Sequence, residues 1–215
     1  VTAGSSAATI QTAINNAVAA GTRSVVHLQA GNYSIGTTLT TPANADIQII
    51  GDGGYTFLTC TADPCLKLNG PSKVVLRDFR TTGTGSDGIE INTADQVGSR
   101  VFMDQVLTGG SVTNTGVFYD TLDRTLVELH NYRGIVNSSG IVVKVVGGSS
   151  TAGGTWLGGR LNIFSTLLTA NDHNLDVSAG GHLLAVGAFL GSETISSSTS
   201  LTATALVPVC VSNRC

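Results

Sequence analysis

Ser72-Lys-Val-Val-Leu-Arg-Asp-Phe79 aligns with Ser99-Arg-Val-Phe-Met-Asp-Gln-Val106 and again with Thr125-Leu-Val-Glu-Leu-His-Asn-Tyr132, at offsets of 27 and 26 residues. A second segment recurs in step with the first. Cys65-Leu-Lys-Leu68, Gly88-Ile-Glu-Ile91, Gly116-Val-Phe-Tyr119 and Gly140-Ile-Val-Val143 follow one another at offsets of 23, 28 and 24. Each copy is short, rich in Val, Ile and Leu, and bounded by Gly, Asn, Asp or Ser, as strands are. Two interleaved strand types sharing one period of about 25 residues mean a solenoid whose rungs each carry at least two strands. Echoes at Leu161 to Leu168, Asn174 to Val177 and Leu184 to Phe189 bring the expected number to six to eight rungs.

The repeat predicts which side chains stack. Val74, Leu76, Val101, Met103, Val127 and Leu129 occupy alternate positions and are expected inward, each on its equivalent roughly 4.8 Å away in the next rung. Asp78, Gln105, Asn131 and Ser165 then share one polar column at the strand ends, and Phe79, Val106 and Tyr132 an apolar column beside it. Stacked polar side chains there can satisfy a bending backbone. A solenoid also exposes its end strands, so it needs lids. Ile10, Ala13, Ile14, Ala17 and Val18 recur at helical spacing, with Ser5, Ser6 or Thr9 as N-cap and Gly21 as stop, and predict one amphipathic lid helix. No second helical stretch interrupts the strands, which excludes the alternating βαβ class.

Composition narrows the partners. Only 12% of the 215 residues are charged, with 3 Lys, 8 Arg and a net charge of −3, so no polybasic face exists for nucleic acid. Gly, Ser and Thr make up 75 residues, yet mean hydropathy is +0.25, which is not the signature of disorder. No apolar run reaches the ~18 to 20 residues of a membrane span. Val1 is not preceded by an initiator Met or a signal peptide, so the chain reads as a mature product or a fragment. Its cysteines form two local pairs, Cys60-Thr-Ala-Asp-Pro-Cys65 and Cys210-Val-Ser-Asn-Arg-Cys215. They are expected as two loop-pinning disulfides, Cys60-Cys65 and Cys210-Cys215, in an oxidising compartment, hence extracellular or surface-exposed. The alternative, a four-thiolate zinc site, would require pairs 145 residues apart to meet, and a solenoid places them far from each other.

Thr9-Ile-Gln-Thr-Ala-Ile14, Val25-Val-His-Leu-Gln-Ala-Gly-Asn-Tyr-Ser-Ile35, Thr38-Leu-Thr-Thr-Pro42 and Ile47-Gln-Ile-Ile-Gly-Asp-Gly53 resemble the opening of the pectate-lyase-like superfamily. That superfamily contains polysaccharide lyases, polygalacturonase-type hydrolases, epimerases and phage tailspikes. The resemblance implies an all-β fold, a single-stranded right-handed parallel β-helix with an N-terminal capping α-helix. On this reading the chain is one domain: residues 1–23 the helical cap, 24–190 the rungs, and 191–215 a C-terminal cap or tail. The resemblance also implies where chemistry would sit. Polygalacturonase-type hydrolases carry an Asn-Thr-Asp motif, an Asp-Asp pair, a Gly-His-Gly and an Arg-x-Lys, with carboxylates as acid and base. Here Gly85-Ser-Asp-Gly-Ile-Glu-Ile-Asn92 echoes only the first and the rest are missing. Asp87 before Gly88 reads as a turn residue, and Asn171-Asp172-His173 as a loop that could lend a calcium ligand only if the chain were a lyase.

Candidate site residues come from the outward positions of the repeat. Arg77, Asp104 and His130 fall in one column with Glu128 beside it, a catalytic candidate set for a sugar acid and, equally, a surface ion-pair ladder. Lys67, Glu90 and Phe118 form a neighbouring column, where a charge pair and an aromatic could bind a ligand. Trp156, in a glycine-rich loop, is a further ligand platform or an anchor. His27 and His182 read as structural, and Asn32-Tyr-Ser34 and Asn137-Ser-Ser139 match the glycosylation sequon. Three function classes remain. The first is an extracellular non-catalytic module of a surface appendage, spike or fibre, homo-oligomeric and contacting polysaccharide or neighbouring subunits. The second is a lyase or hydrolase of acidic glycans, and the third a self-assembling filament. None of them requires a resident metal or cofactor, apart from calcium in a lyase.

Overall fold

In the computed structural model, residues 1–21, 23–69, 72–83, 87–92 and 100–109 are described, Asn92 by its backbone alone. Beyond residue 109 the description covers the backbone of ten strands between 115 and 197 and the side chain of His130. Among these residues there is one α-helix and there are three parallel sheets of seven strands each.

The chain visits the sheets in strict rotation. Sheet 1 contains β1 (Ser24–Leu28), β4 (Asp46–Gly51), β7 (Lys73–Arg77), β10 (Arg100–Asp104), β13 (Leu126–His130), β16 (Arg160–Phe164) and β19 (His182–Val186), in that order. Sheet 2 contains β2 (Gly31–Ile35), β5 (Thr56–Cys60), β8 (Arg80–Gly83), β11 (Leu107–Gly109), β14 (Arg133–Ile135), β17 (Leu167–Thr169) and β20 (Phe189–Leu190). Sheet 3 contains β3 (Leu39–Thr41), β6 (Leu66–Asn69), β9 (Ile89–Asn92), β12 (Thr115–Tyr119), β15 (Ile141–Val146), β18 (His173–Ser178) and β21 (Ile195–Ser197). Seven rounds of three strands result, and the two strand types found in the sequence belong to sheets 1 and 3. The last strand, β21, pairs with β18 past residue 190, where the sequence placed the end of the rungs.

On sheet 1 the register follows the repeat; on sheet 3 the fourth copy lies two residues further on than its 24-residue offset set it, Val117 pairing with Val143 and not with Ile141. Val74 pairs with Val101 and Leu76 with Met103, and all four are buried, as the alternation requires. One contiguous core cluster draws on all three sheets and on the helix, with Leu28, Leu58, Leu68, Leu76 and Ile14 among its members. Apolar area removed from water drives this stacking, at roughly 25 cal/mol per Å2.

The polar column sits where sheet 1 turns into sheet 2. Asp78 and Gln105 have φ of 58° and 53°, left-handed backbone that bends the chain in two residues. Their N–H groups donate to Asp104 and His130 carbonyls of the following round, at 3.2 Å each. The next residues, Phe79 and Val106, plug the corner from inside, both 1% exposed. In the second round the same corner is longer, a 3-10 turn at Gly53–Tyr55. Gly51 precedes it because a Cβ there would collide with the Asp78 carbonyl and the side chains of Phe79 and Thr56. Asn131 and Ser165 lie outside the described residues.

Helix α1 (Ala7–Ala20) covers the first-round end. Ser6 is its N-cap, the Oγ accepting from Thr9 N–H, and Gly21 ends it at φ 102°. Ile10, Ile14 and Ala17 are buried against the first strands. Gln11 adds a polar clasp: its Nε2 donates to the Thr40 carbonyl and its Oε1 accepts from Thr40 N–H, both at 2.8 Å. The side-chain amide thereby pairs with the outer edge of β3 as a further strand would.

Cys60 and Cys65 are joined by a disulfide across the turn between β5 and β6, with Cα atoms 5.5 Å apart. Both are buried. The zinc alternative therefore loses two of its four thiolates. The Cys210-Cys215 pairing lies outside the described residues.

Candidate functional site

Alternation along parallel strands fixes what each sheet shows outward. On sheet 1, Ile50, Arg77, Asp104, His130, Phe164 and Val186 occupy successive in-register positions. The expected column of Arg77, Asp104 and His130 is thus one column. Glu128 holds the neighbouring one, directly across from Phe102; its side chain is outside the described residues.

Arg77 stands between two carboxylates. Its Nη2 lies 3.7 Å from Asp78 Oδ2 and its Nε 4.0 Å from Asp104 Oδ2. Arg77 is 42% exposed and the two aspartates 22% each, so these are loose, water-screened pairs worth under ~1 kcal/mol apiece. His130 packs its ring on Phe102, with centroids 4.7 Å apart and planes inclined by 38°. The group is a flat patch holding a guanidinium, carboxylates, an imidazole and a phenyl ring. It offers hydrogen bonds and one aromatic surface.

Sheet 3 carries the second expected column. Lys67 Nζ lies 2.7 Å from Glu90 Oε1, with side chains 30% and 12% exposed, a tighter and drier pair than those of Arg77. Phe118 takes the next position, followed by Lys144, Asp176 and Ser196. Lys144 and Asp176 extend a ladder of alternating charge that the sequence reading stopped at Phe118. The 24-residue offset read from the sequence set Val142 against Phe118, two residues short of Lys144, and so hid it. Trp156 and Asn171-Asp172 lie outside the described residues. Asp87 stands just ahead of β9, its N–H donating to Asp63 Oδ1 and its carbonyl accepting from Cys65 N–H, as a turn residue does.

One polar cluster escaped the sequence reading. His27, on the outer face of β1, places Nε2 2.7 Å from Asp52 Oδ1. The other carboxylate oxygen accepts from Ala30 N–H at 2.9 Å, and Asp52 N–H donates to Thr56 Oγ1 at 2.8 Å. The bond from His27, then that from Ala30, holds the Asp52 carboxyl below the usual carboxylate range. Nearby, Tyr33 is buried with its O–H donating to the Gln29 carbonyl at 2.7 Å. Burial, and then the Asp52 charge, raise its pKa. His27 and Asp52 are 25 residues apart, one period of the repeat, and that spacing was the available clue.

Among the described residues no group of three or more His, Cys, Asp or Glu side chains is arranged to hold a metal ion, and no helix is long and apolar enough to cross a membrane. No protein-family model, curated protein or solved structure matches the chain.

Proposed function

We propose that the three sheets close around their common core as a right-handed parallel β-helix of the pectate-lyase-like kind. We propose further that the chain serves as a non-catalytic module of an extracellular appendage, spike or fibre, contacting polysaccharide or neighbouring subunits. The single core shared by three sheets supports closure, and the strong preference of parallel crossovers for one hand supports the handedness. The disulfide supports an oxidising, extracellular location.

The observation that carries the functional part is the way the charges are spent. Arg77 lies between Asp78 and Asp104, and Lys67 sits on Glu90, each along one flat face. Glycoside hydrolysis needs two carboxyl groups about 5 to 9.5 Å apart on opposite sides of a sugar. Carboxylates ranged along the same arginine form a ladder, suited to rigid display and to multiple weak hydrogen bonds. Phe102 beside His130 adds a ring on which a sugar face can stack.

A lyase or hydrolase of acidic glycans is the second reading, favoured by the succession of guanidinium, carboxylate and imidazole at Arg77, Asp104 and His130. The test incubates the full chain with acidic polysaccharides, with and without calcium, and assays new reducing ends and unsaturated products. The expected result is retention of glycan without turnover. Turnover that disappears in Asp104→Ala with His130→Ala, in a protein that still folds, would install the enzymatic reading instead.

A further inference from the structure

Sheet 2 differs chemically from its two companions. The strands of sheet 1 carry Asp46, Asp104 and Glu128 beside Lys73, Arg77, Arg100 and Arg160, and those of sheet 3 carry Lys67, Glu90, Lys144 and Asp176. The seven strands of sheet 2 contain Arg80 and Arg133 and no Lys, Asp or Glu. Along its outer face Asn32, Phe57, Arg80 and Leu107 hold successive in-register positions, and in the backbone Arg133, Leu167 and Phe189 continue the same register. Phe57, Arg80 and Leu107 are each partly exposed. The Arg80 guanidinium carbon lies 5.5 Å from the centre of the Phe57 ring, and its Nε is buried without a hydrogen-bond partner. Among the described residues no carboxylate forms an ion pair with Arg80. Arginine and aromatic residues with Lys, Asp and Glu depleted are the composition of a protein–protein contact core.

We infer that the outer face of sheet 2 docks a second copy of this chain, on a face of that copy that bears acidic residues. This rests on the proposed role in contacting neighbouring subunits and names the surface. Charge decides the pairing. Two copies meeting sheet 2 to sheet 2 would oppose arginine with arginine and no acid between them, so the self-complementary arrangement is disfavoured. The whole chain carries 14 acidic against 11 basic residues, the strand-borne acids all lie on the other two sheets, and one of them, Asp46 on β4, is in no ion pair among the described residues, so a second copy can supply what Arg80 lacks. Area sets the strength of the contact. Seven strands at roughly 4.8 Å, each three or four residues long at roughly 3.3 Å, give a face of roughly 400 Å2. That is about half of what each partner gives to a standard interface. Such a contact is weak taken singly, and because it joins unlike faces each copy lends sheet 2 to one neighbour and an acid-bearing face to another, a head-to-tail contact that closes a ring or runs on as an array.

The test measures the solution mass of the full chain by light scattering over a hundredfold dilution, at low and high salt, for the natural sequence, Arg80→Glu and Phe57→Ser. Far-UV circular dichroism melts of each variant separate lost folding from lost contact. Assemblies larger than a dimer are expected for the natural chain, weakening with salt. Both variants should remain folded and need about tenfold or more higher concentration to associate. A strict dimer would overturn the head-to-tail pairing. Assemblies unchanged by either folded variant would overturn the choice of face while leaving subunit contact standing. A monomer at every concentration would overturn this inference and the subunit-contact part of the proposed role together, leaving the polysaccharide part to its own assay.

Discussion

Asp52 ties the first two rounds together through three bonds that only an ionised carboxylate and its backbone can make in this combination: with His27 Nε2, Ala30 N–H and Thr56 Oγ1. Its carboxyl titrates below the usual range because the first two of these favour the charged form. The sign of the pH effect follows. A group whose folded pKa is depressed adds stability above its unfolded pKa, near 4, and loses it as pH falls through the folded value. Asp52→Asn should therefore melt at a lower temperature than the natural chain at pH 7, with the gap closing as pH falls below about 4. Thermal melts at several pH values check this, and a gap unchanged as pH falls would remove the carboxylate as its cause. His27 and Asp52 stand one period apart, yet the pair was missed because neither belongs to a segment that the repeat aligned. The pairs lying within such segments were legible: Arg77 with Asp104 and Lys67 with Glu90 both sit one strand apart as the offsets required.

At the scale of elements, what could be read depended on side-chain pattern. Helix α1 announced itself through Ile10, Ile14 and Ala17, and its ends fell at Ser6 and Gly21 as cap chemistry dictates. The strands of sheet 2 stayed hidden because segments such as Arg80-Thr-Thr-Gly83 and Leu107-Thr-Gly109 bury Thr81, Thr108 and glycines in place of large aliphatics. Threonine alternating with threonine gives no hydrophobic period to detect. The role of Gln11 was equally invisible, since a glutamine on a helix surface has no sequence mark of an edge-strand partner. Its two bonds to Thr40 satisfy a donor and an acceptor that would otherwise lie open at the end of sheet 3. Gln11→Ala should lower stability by ~1–3 kcal/mol, two hydrogen bonds' worth. It should also speed amide exchange at Thr40. Gln11→Glu, which keeps the acceptor but sets a carboxylate against the Thr40 carbonyl, should be no better than Ala. Denaturant melts and hydrogen exchange read both effects, and a fully stable Gln11→Glu chain would show that the donor to Thr40 contributes little.

Over the whole molecule, every strand of a sheet pairs only with the strands one round before and one round after it. Stability in such a stack is close to a sum of round-to-round contacts, so the position of a defect should matter as much as its size. Leu76 in the third round and Ile14 in the cap are both 0% exposed, and shortening either to Ala should cost ~2–5 kcal/mol in lost burial and cavity. Their reach should differ. Leu76 is in register with Ile49 on one side and Met103 on the other, so Leu76→Ala weakens two interfaces at once and uncouples the rounds on either side. Ile14 packs at the end of the stack, so Ile14→Ala weakens one interface and frays the first round. Hydrogen exchange followed strand by strand should show faster exchange in both β4 and β10 for Leu76→Ala. For Ile14→Ala the change should be confined to β1, β2 and β3. Uniform acceleration over the chain in both variants would mean that the seven rounds unfold as one cooperative unit, and that coupling along the stack is stronger than any single interface.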